Sequence, residues 1–298
     1  MEIGLIDVDG HNYPNLALMK ISAYHKSIGD NVKWVNYFEN YDKVYISKIF
    51  DFTKDCSTQI NSNEIIKGGS GYDPTVKLDD NIENFNPDYS IYPQYNFSIQ
   101  LFSRGCIRAC KFCIVNKKEG KIYPIKPMQL NSKGKHIEVL DNNFFANPEW
   151  ESAVDWLVSA KQPVNLNGVD VRIITDKQCE ALNKIKHFKQ IHIAWDNAKD
   201  DLLPKIKEMT KIVKPHKIMC YVLIGFNSTQ QEDEYRVSEI DKLGITPFVM
   251  PFNKKDKYQQ SFARFVDRRW IYKSNNGDFS NYQYYKKQEK NLQQTSLF

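Results

Sequence analysis

RGCIRACKFC, residues 104–113, places Cys106, Cys110 and Cys113 at a C-x3-C-x2-C spacing directly after the apolar run FSIQLF (97–102). That run reads as a short buried strand, and it opens a series. HIEVLD (136–141), PVNLNG (163–168), QIHIAWD (190–196), KIMCYVLIGF (217–226) and TPFVMPF (246–252) continue it. Helical patterns fall between most of them, near 149–160, 176–186, 199–213 and 231–243. Strands alternating with helices predict a parallel sheet with right-handed crossovers. The series is too short for an eight-unit barrel of about 250 residues and fits an open barrel of six units. Between Cys113 and His136 the pattern is least regular, because Pro124 and Pro127 break any helix.

Upstream, EIGLID (2–7) has the pattern of a buried strand. Leu16, Met19, Ala23 and Ile28 then recur at helical spacing over 15–28, with Gly29 as a stop. NVKWV (31–35), KVYIS (43–47) and EIIKGG (64–69) predict further strands, so residues 1–75 read as a small α/β unit. Residues 76–95 are rich in Asp, Asn, Pro and Tyr without periodicity and read as a linker. Residues 96–255 hold the second series. Residues 256–298 read as a basic, aromatic extension (Trp270, Tyr272, Tyr282, Tyr284, Tyr285) whose polar end is expected to be disordered.

At 298 residues, with 41% hydrophobic and 26% charged, the composition is that of a folded protein of one large or two smaller domains. No apolar run approaches the roughly eighteen residues of a membrane span. MEIGLIDVDG, with Glu2 and a short apolar stretch, does not read as a signal peptide, so the expected compartment is the reducing cytoplasm. Clustered cysteines there more often bind metal than form disulfides. Cys56, Cys179 and Cys220 are scattered and read as ordinary buried thiols. A net charge of +5 is too weak to argue for nucleic acid by itself.

Three close thiolates suit a soft metal. Structural zinc takes four ligands, usually in C-x2-C pairs; a single pair is present here, with His136 as a distant candidate fourth ligand. A 4Fe–4S cluster held by three cysteines leaves one iron without a protein ligand, a place for a substrate or cofactor.

Cys106, Cys110, Phe112 and Cys113 match C-x3-C-x-Phe-C, and residues 97–252 resemble the radical S-adenosylmethionine enzymes in motif and strand count. The resemblance implies that the open iron binds the amino and carboxylate groups of S-adenosylmethionine. It also implies an external one-electron reductant, and cleavage to methionine and a 5′-deoxyadenosyl radical that abstracts hydrogen from an unidentified substrate. Asp141, Asn142 and Asn143 stand where the family often has Gly-Gly-Glu, matching by position and not by identity. Asp196 resembles a ribose-binding residue, and Gly225 with Asn227 in VLIGFN resembles a glycine-containing cofactor motif. Each also reads as an ordinary strand-end polar residue or turn glycine. Arg172 reads either as a partner for a carboxylate or as a surface charge.

DGHNYP (9–14) resembles Asp-x-His-x-x-Gly, the cobalamin-binding signature, with SKI (47–49) and GGSG (68–71) as further echoes. That resemblance implies a Rossmann-like unit in which His11 ligates cobalt and Asp9 fixes its tautomer. Pro14 replaces the glycine, and the unit is short, which favours a cobalamin-free relic over bound cobalamin. QTSLF (294–298) resembles the terminal peptides by which bacterial DNA proteins dock on the sliding clamp. The expected fold is thus α/β, a small Rossmann-like unit followed by a partial (β/α)6 barrel. The expected function is radical enzymology. The alternative is a non-enzymatic, iron–sulfur- or zinc-stabilised DNA-associated protein, whose metal would be essential to folding.

Overall fold

A computed structural model describes residues 1–282; Tyr284, Tyr285, the polar end and the QTSLF motif lie outside the described residues. The chain divides into two compact units, Met1–Ala153 and Val154 onward, and each is a mixed α/β structure with parallel strands. No helix among the described residues is long and apolar enough to cross a membrane.

In the first unit β1 (Glu2–Asp7), α1 (Leu16–Ser27), β2 (Asn31–Trp34), β3 (Asn40–Ser47) and β4 (Asn61–Gly68) follow in order. The four strands are parallel, in the order β2-β1-β3-β4, so the order reverses between β1 and β3. Alternation along β1 sends Ile3 and Leu5 into a core with Leu18 and Met19 of α1. Ile6 joins Val44 and Ile46 in a separate cluster. Asn15 caps α1: its side chain accepts from Leu18 N and donates to Ser47 Oγ at 2.8 Å, which ties the helix start to the end of β3. The crossovers 35–39 and 48–60 contain no helix. The first is much shorter than the dozen or so residues of a helical crossover. Val35, Ile60 and Tyr72 from these and the following loop pack against Ile6, Val44 and Ile46 instead.

Residues 76–95 contain α2 (Asp80–Glu83) and contribute Ile82, Ile91 and Tyr92 to the core of Ile3 and Leu5. Burying each such side chain stabilises by about 2 kcal/mol, so scattered apolar residues hold down a stretch that has no periodicity. The first strand of the second series is broken in two, β5 (Ser98–Gln100) and β6 (Ser103–Arg104). After the cysteines come α3 (Val115–Lys118), β7 (Tyr123–Pro124) and β8 (Ile137–Val139). β5 pairs in parallel with β8, while β6 and β7 form a short antiparallel ladder.

The division between units falls inside α4 (Trp150–Ser159). The second unit then runs β9 (Val164–Leu166), α5 (Asp176–Lys184), β10 (Ile191–Ala194), α6 (Leu203–Ile212), β11 (Ile218–Ile224), α7 (Gln230–Lys242) and β12 (Thr246–Pro251). β10, β11 and β12 are parallel neighbours. Thr175 with Gln178 and Thr229 with Glu232 form capping boxes that set the starts of α5 and α7.

The region after 256 is not a loose extension. It continues as α8 (Lys257–Asp267) and α9 (Arg269–Ser274), with α8 packed on β12. Phe262, Phe265, Val266, Tyr272, Phe279 and Tyr282 are buried, so its aromatic residues mostly build core, while Trp270 stays 72% exposed.

A buried ion pair closes this unit. Arg236, 1% exposed, donates to Trp195 O at 2.7 Å, Leu223 O at 2.9 Å and Asp233 Oδ1 at 2.6 Å. Asp233 in turn accepts from Ser228 Oγ at 2.6 Å and Gly225 N at 3.2 Å. Replacing Arg236 by Met strands a buried carboxylate and two carbonyls. Arg236→Met is expected to lower the unfolding free energy by about 3–5 kcal/mol in urea titration.

Candidate metal centre

The cysteine loop rises from the β6–β7 ladder, where Ser103 faces Pro124 and Arg104 faces Tyr123. Directly above, Cys106 N donates to Gly120 O at 3.2 Å and Gly105 N donates to Glu119 Oε2 at 2.8 Å. Arg104 Nη1 donates to the other oxygen, Glu119 Oε1, at 3.0 Å. Gly105 has φ +79°, and a Cβ there would lie 2.3 Å from Lys121 O, so this tight stem excludes any side chain before the first cysteine.

Past the stem the loop is open. Cys113 N donates to Cys110 O at 3.0 Å, which folds the C-x2-C pair into one turn, and Arg108 N donates to Cys106 Sγ at 3.3 Å. The Asn116 amide donates to Arg108 O. None of the three forms a disulfide; Cys106 and Cys110 are half-buried and Cys113 is exposed. Phe112 is half-buried. Among the described residues, no three His, Cys, Asp or Glu side chains are gathered closely enough to hold a metal ion. His136 is accordingly not brought to the cysteines: its Nε2 meets Glu138 Oε1 at 2.9 Å and its ring lies against Phe97. The donor set nevertheless fits an iron–sulfur cluster. It offers three soft thiols on one short loop free of carboxylate and imidazole, with a backbone N–H already directed at one sulfur.

The carboxyl end of β8 meets the entry to this loop. Asp141 is buried and accepts from Phe102 N at 2.9 Å and Ser103 Oγ at 2.6 Å. Its carboxylate therefore faces inward, onto the strand that leads to the cysteines. Burial pushes its pKa up to about 6, against those hydrogen bonds. Asn142 is exposed and donates to Glu119 Oε2 at 2.8 Å and Gly105 O at 3.4 Å. Asn143 is buried and precedes a 3-10 turn, Phe144–Ala146. Glu119 is thus a residue that sequence reasoning missed. Its signal is a lone acid in the basic run NKKEGK (116–121).

In the second unit Asp196 follows β10, half-buried, and burial raises its pKa despite nearby Arg172 and Arg236. Gly225 follows β11 with φ +73°, and its missing Cβ makes room for Gln259. Asn227 is exposed with φ +51°, a left-handed conformation that asparagine tolerates. Arg172 meets carboxylates of its own unit, Asp170 at 2.7 Å and Asp200 at 3.5 Å.

Around the first sheet, Asp9 does not turn toward His11. Its carboxylate accepts from Ile49 N, from Phe50 N at 3.3 Å and from Thr53 Oγ1 at 2.6 Å, and so fastens the loop after β3. The exposed His11 ring packs against Trp34 and Tyr92, at centroid distances of 4.4 and 5.6 Å. Pro14 is buried just before the Asn15 cap. Ser47, Gly68 and Gly69 instead line a cavity of about 730 Å3 beside α1. Cys179 and Cys220 are buried as expected, and burial pushes both thiols up in pKa. Cys56 is not: it lies half-exposed on the helix-free 48–60 loop, 3.1 Å from Tyr37 OH.

No protein-family model matches this chain, and no curated protein matches it.

The raised pKa of Asp141 carries a sign. A folded pKa of about 6, above the unfolded value near 4, means stability present at low pH and lost as pH rises through 6. Asp141→Asn keeps an acceptor for Phe102 N and removes the titration. The difference in unfolding free energy between wild type and Asp141→Asn, followed by urea titration from pH 4 to pH 7, is expected to change by about 2–3 kcal/mol against the wild type.

Proposed function

We propose that this chain is a radical S-adenosylmethionine enzyme whose 4Fe–4S cluster is held by Cys106, Cys110 and Cys113. The observation that carries the reading is a three-thiol loop that rises from the antiparallel β6–β7 ladder just beyond the parallel strand β5, clamped at its stem by Glu119, with Cys113 exposed. The chemistry supplied when cluster and S-adenosylmethionine are bound is one-electron reductive cleavage to methionine and a 5′-deoxyadenosyl radical. The finer architecture, a Rossmann-like sheet followed by a partial (β/α)6 barrel, belongs to the same proposal. It is supported by the 2-1-3-4 parallel order and by the strand–helix repeats between 97 and 252.

The residues take distinct parts. Phe112, half-buried and next to Cys113 in sequence, would limit water at the loop. Asp141 shapes the backbone that enters the loop, so of the β8-end candidates the exposed Asn142 is the one to offer a polar group to the amino end of the cofactor. Asn143, being buried, supports it. Asp196, Gly225 and Asn227 stand just past the ends of β10 and β11, in the second unit. Asp196 and Asn227 are polar groups suited to hydrogen bonding, while the space a Cβ would take at Gly225 is already filled by Gln259. The reading gives His11 no cobalt, because the carboxylate meant to fix its tautomer is occupied by the 49–53 loop. Titration with hydroxocobalamin is expected to leave the visible spectrum of the cobalamin unchanged.

The alternative, a metal that holds up the fold of a DNA-associated protein, is less well supported. Among the described residues, no apolar side chain of residues 106–113 is buried. A structural metal should be indispensable to folding, whereas this loop sits on top of packed strands.

The test is anaerobic reconstitution with iron and sulfide, then incubation with S-adenosylmethionine and dithionite, following 5′-deoxyadenosine by chromatography. About four irons per chain and 5′-deoxyadenosine formation are expected. Both should vanish in the Cys106/Cys110/Cys113→Ala variant, with its thermal midpoint little changed. Zinc in place of iron, or unfolding of the triple variant, would sink the reading.

A further inference from the structure

An unbroken run of ion pairs leads from α1 of the first sheet to the stem of the cysteine loop. Lys20, buried on α1, places Nζ 2.8 Å from Glu83 Oε1 and 2.6 Å from Glu83 O. The same Glu83 oxygen accepts from Arg104 Nη2 at 3.0 Å. Arg104 reaches on to Glu119 at 3.0 Å, and Glu119 holds Gly105 N and the Asn142 amide, each at 2.8 Å. Every link lies within the first unit, and the last touches the residue before Cys106.

We infer that Glu119 and Lys20 are positioning residues for the metal centre, and that the N-terminal sheet serves to brace the cysteine loop through this chain of charges. The inference rests on the proposed cluster at Cys106, Cys110 and Cys113. Each link is suited to the task. Lys20 is drawn out of water, and burial lowers its pKa while Glu83 opposes that shift. Glu83 carries two cations, which hold its carboxyl below its ordinary range despite burial. Arg104 is held at both ends by carboxylates, so its guanidinium is fixed in direction and cannot follow the loop outward. Glu119 is 13% exposed and joins the loop entry, through Gly105 N, to the end of β8, through Asn142. Without that anion the stem would keep its short ladder but lose the clamp that fixes where Cys106 begins. Outer partners of this kind typically govern metal retention by ten- to a hundredfold.

The test compares Glu119→Gln, Lys20→Met and, as a control, Lys26→Met. Lys26 lies on the same helix and pairs with Asp88 at 2.6 Å, outside the chain of charges. Each full-length protein is reconstituted anaerobically, and loss of iron to a ferrous chelator is timed. Electron paramagnetic resonance of the reduced protein and the thermal midpoint of the cluster-free protein are recorded alongside. Release is expected to be about tenfold faster in Glu119→Gln and a few-fold faster in Lys20→Met, with a shifted resonance signal, while Lys26→Met matches wild type. Wild-type release in both Glu119→Gln and Lys20→Met would overturn the inference and leave the cluster assignment standing. Equal acceleration in Lys20→Met and Lys26→Met would overturn it too, because general loosening of α1 would then account for the effect. A wild-type chain that takes up no iron on these cysteines would instead overturn the cluster assignment itself. Should Lys20→Met fail to fold, Glu119→Gln alone decides, since it keeps the shape and hydrogen-bonding capacity of the side chain.

Discussion

One carboxylate, that of Glu119, organises the surroundings of the three cysteines. It receives the Gly105 amide, the Arg104 guanidinium and the Asn142 amide, which come from the loop entry, the β6 strand and the end of β8. Each of those donors would cost about 1–3 kcal/mol if left partly buried without an acceptor. A strand that ends in a tight turn has few ladder partners for its last amides, and an anion placed there answers that need. Asp141 does the same one step earlier, taking Phe102 N and Ser103 Oγ. Two inward-facing acids therefore set the path of the chain into RGCIRACKFC.

The second unit solves the corresponding problem with a cation. Arg236 takes the carbonyls of Trp195 and Leu223, at the ends of β10 and β11, and Asp233 takes the amide of Gly225. Strand ends that would otherwise fray are held by groups too deeply buried to be exchanged for water. Asp196, Gly225 and Asn227 stand directly on these pinned ends. Rigid support beneath a polar strand end is what lets a few exposed side chains act in fixed positions.

Much of the local structure was legible. The strands at 2–7, 43–47, 190–196 and 217–226 and the helices at 176–186 and 231–243 appear within a few residues of the expected ranges. Apolar periodicity and threonine caps are properties of neighbours in sequence. What failed was reading burial from composition alone. The tract after 256 looked like a basic aromatic tail, yet Phe262, Phe265 and Val266 lie at helical spacing and are buried on a helix packed on β12. Asp9 looked like half of an Asp–His pair, yet its carboxylate serves backbone amides 40 residues away. Cys56 looked like a core thiol because the 48–60 crossover has no helix whose absence could be foreseen.

The sequence by itself determined the elements and the chemistry on offer. Periodicity sets strands and helices, and three thiols in ten residues put soft ligands on offer. Tertiary structure alone decided which carboxylates face the chain and which face solvent. Lys20, Glu83, Arg104 and Glu119 are spread over a hundred positions and carry no mutual signal in one sequence. Their meeting depends on the packing of α1, α2, β6 and the turn after α3, where burial makes a missing partner costly and so selects the pairing.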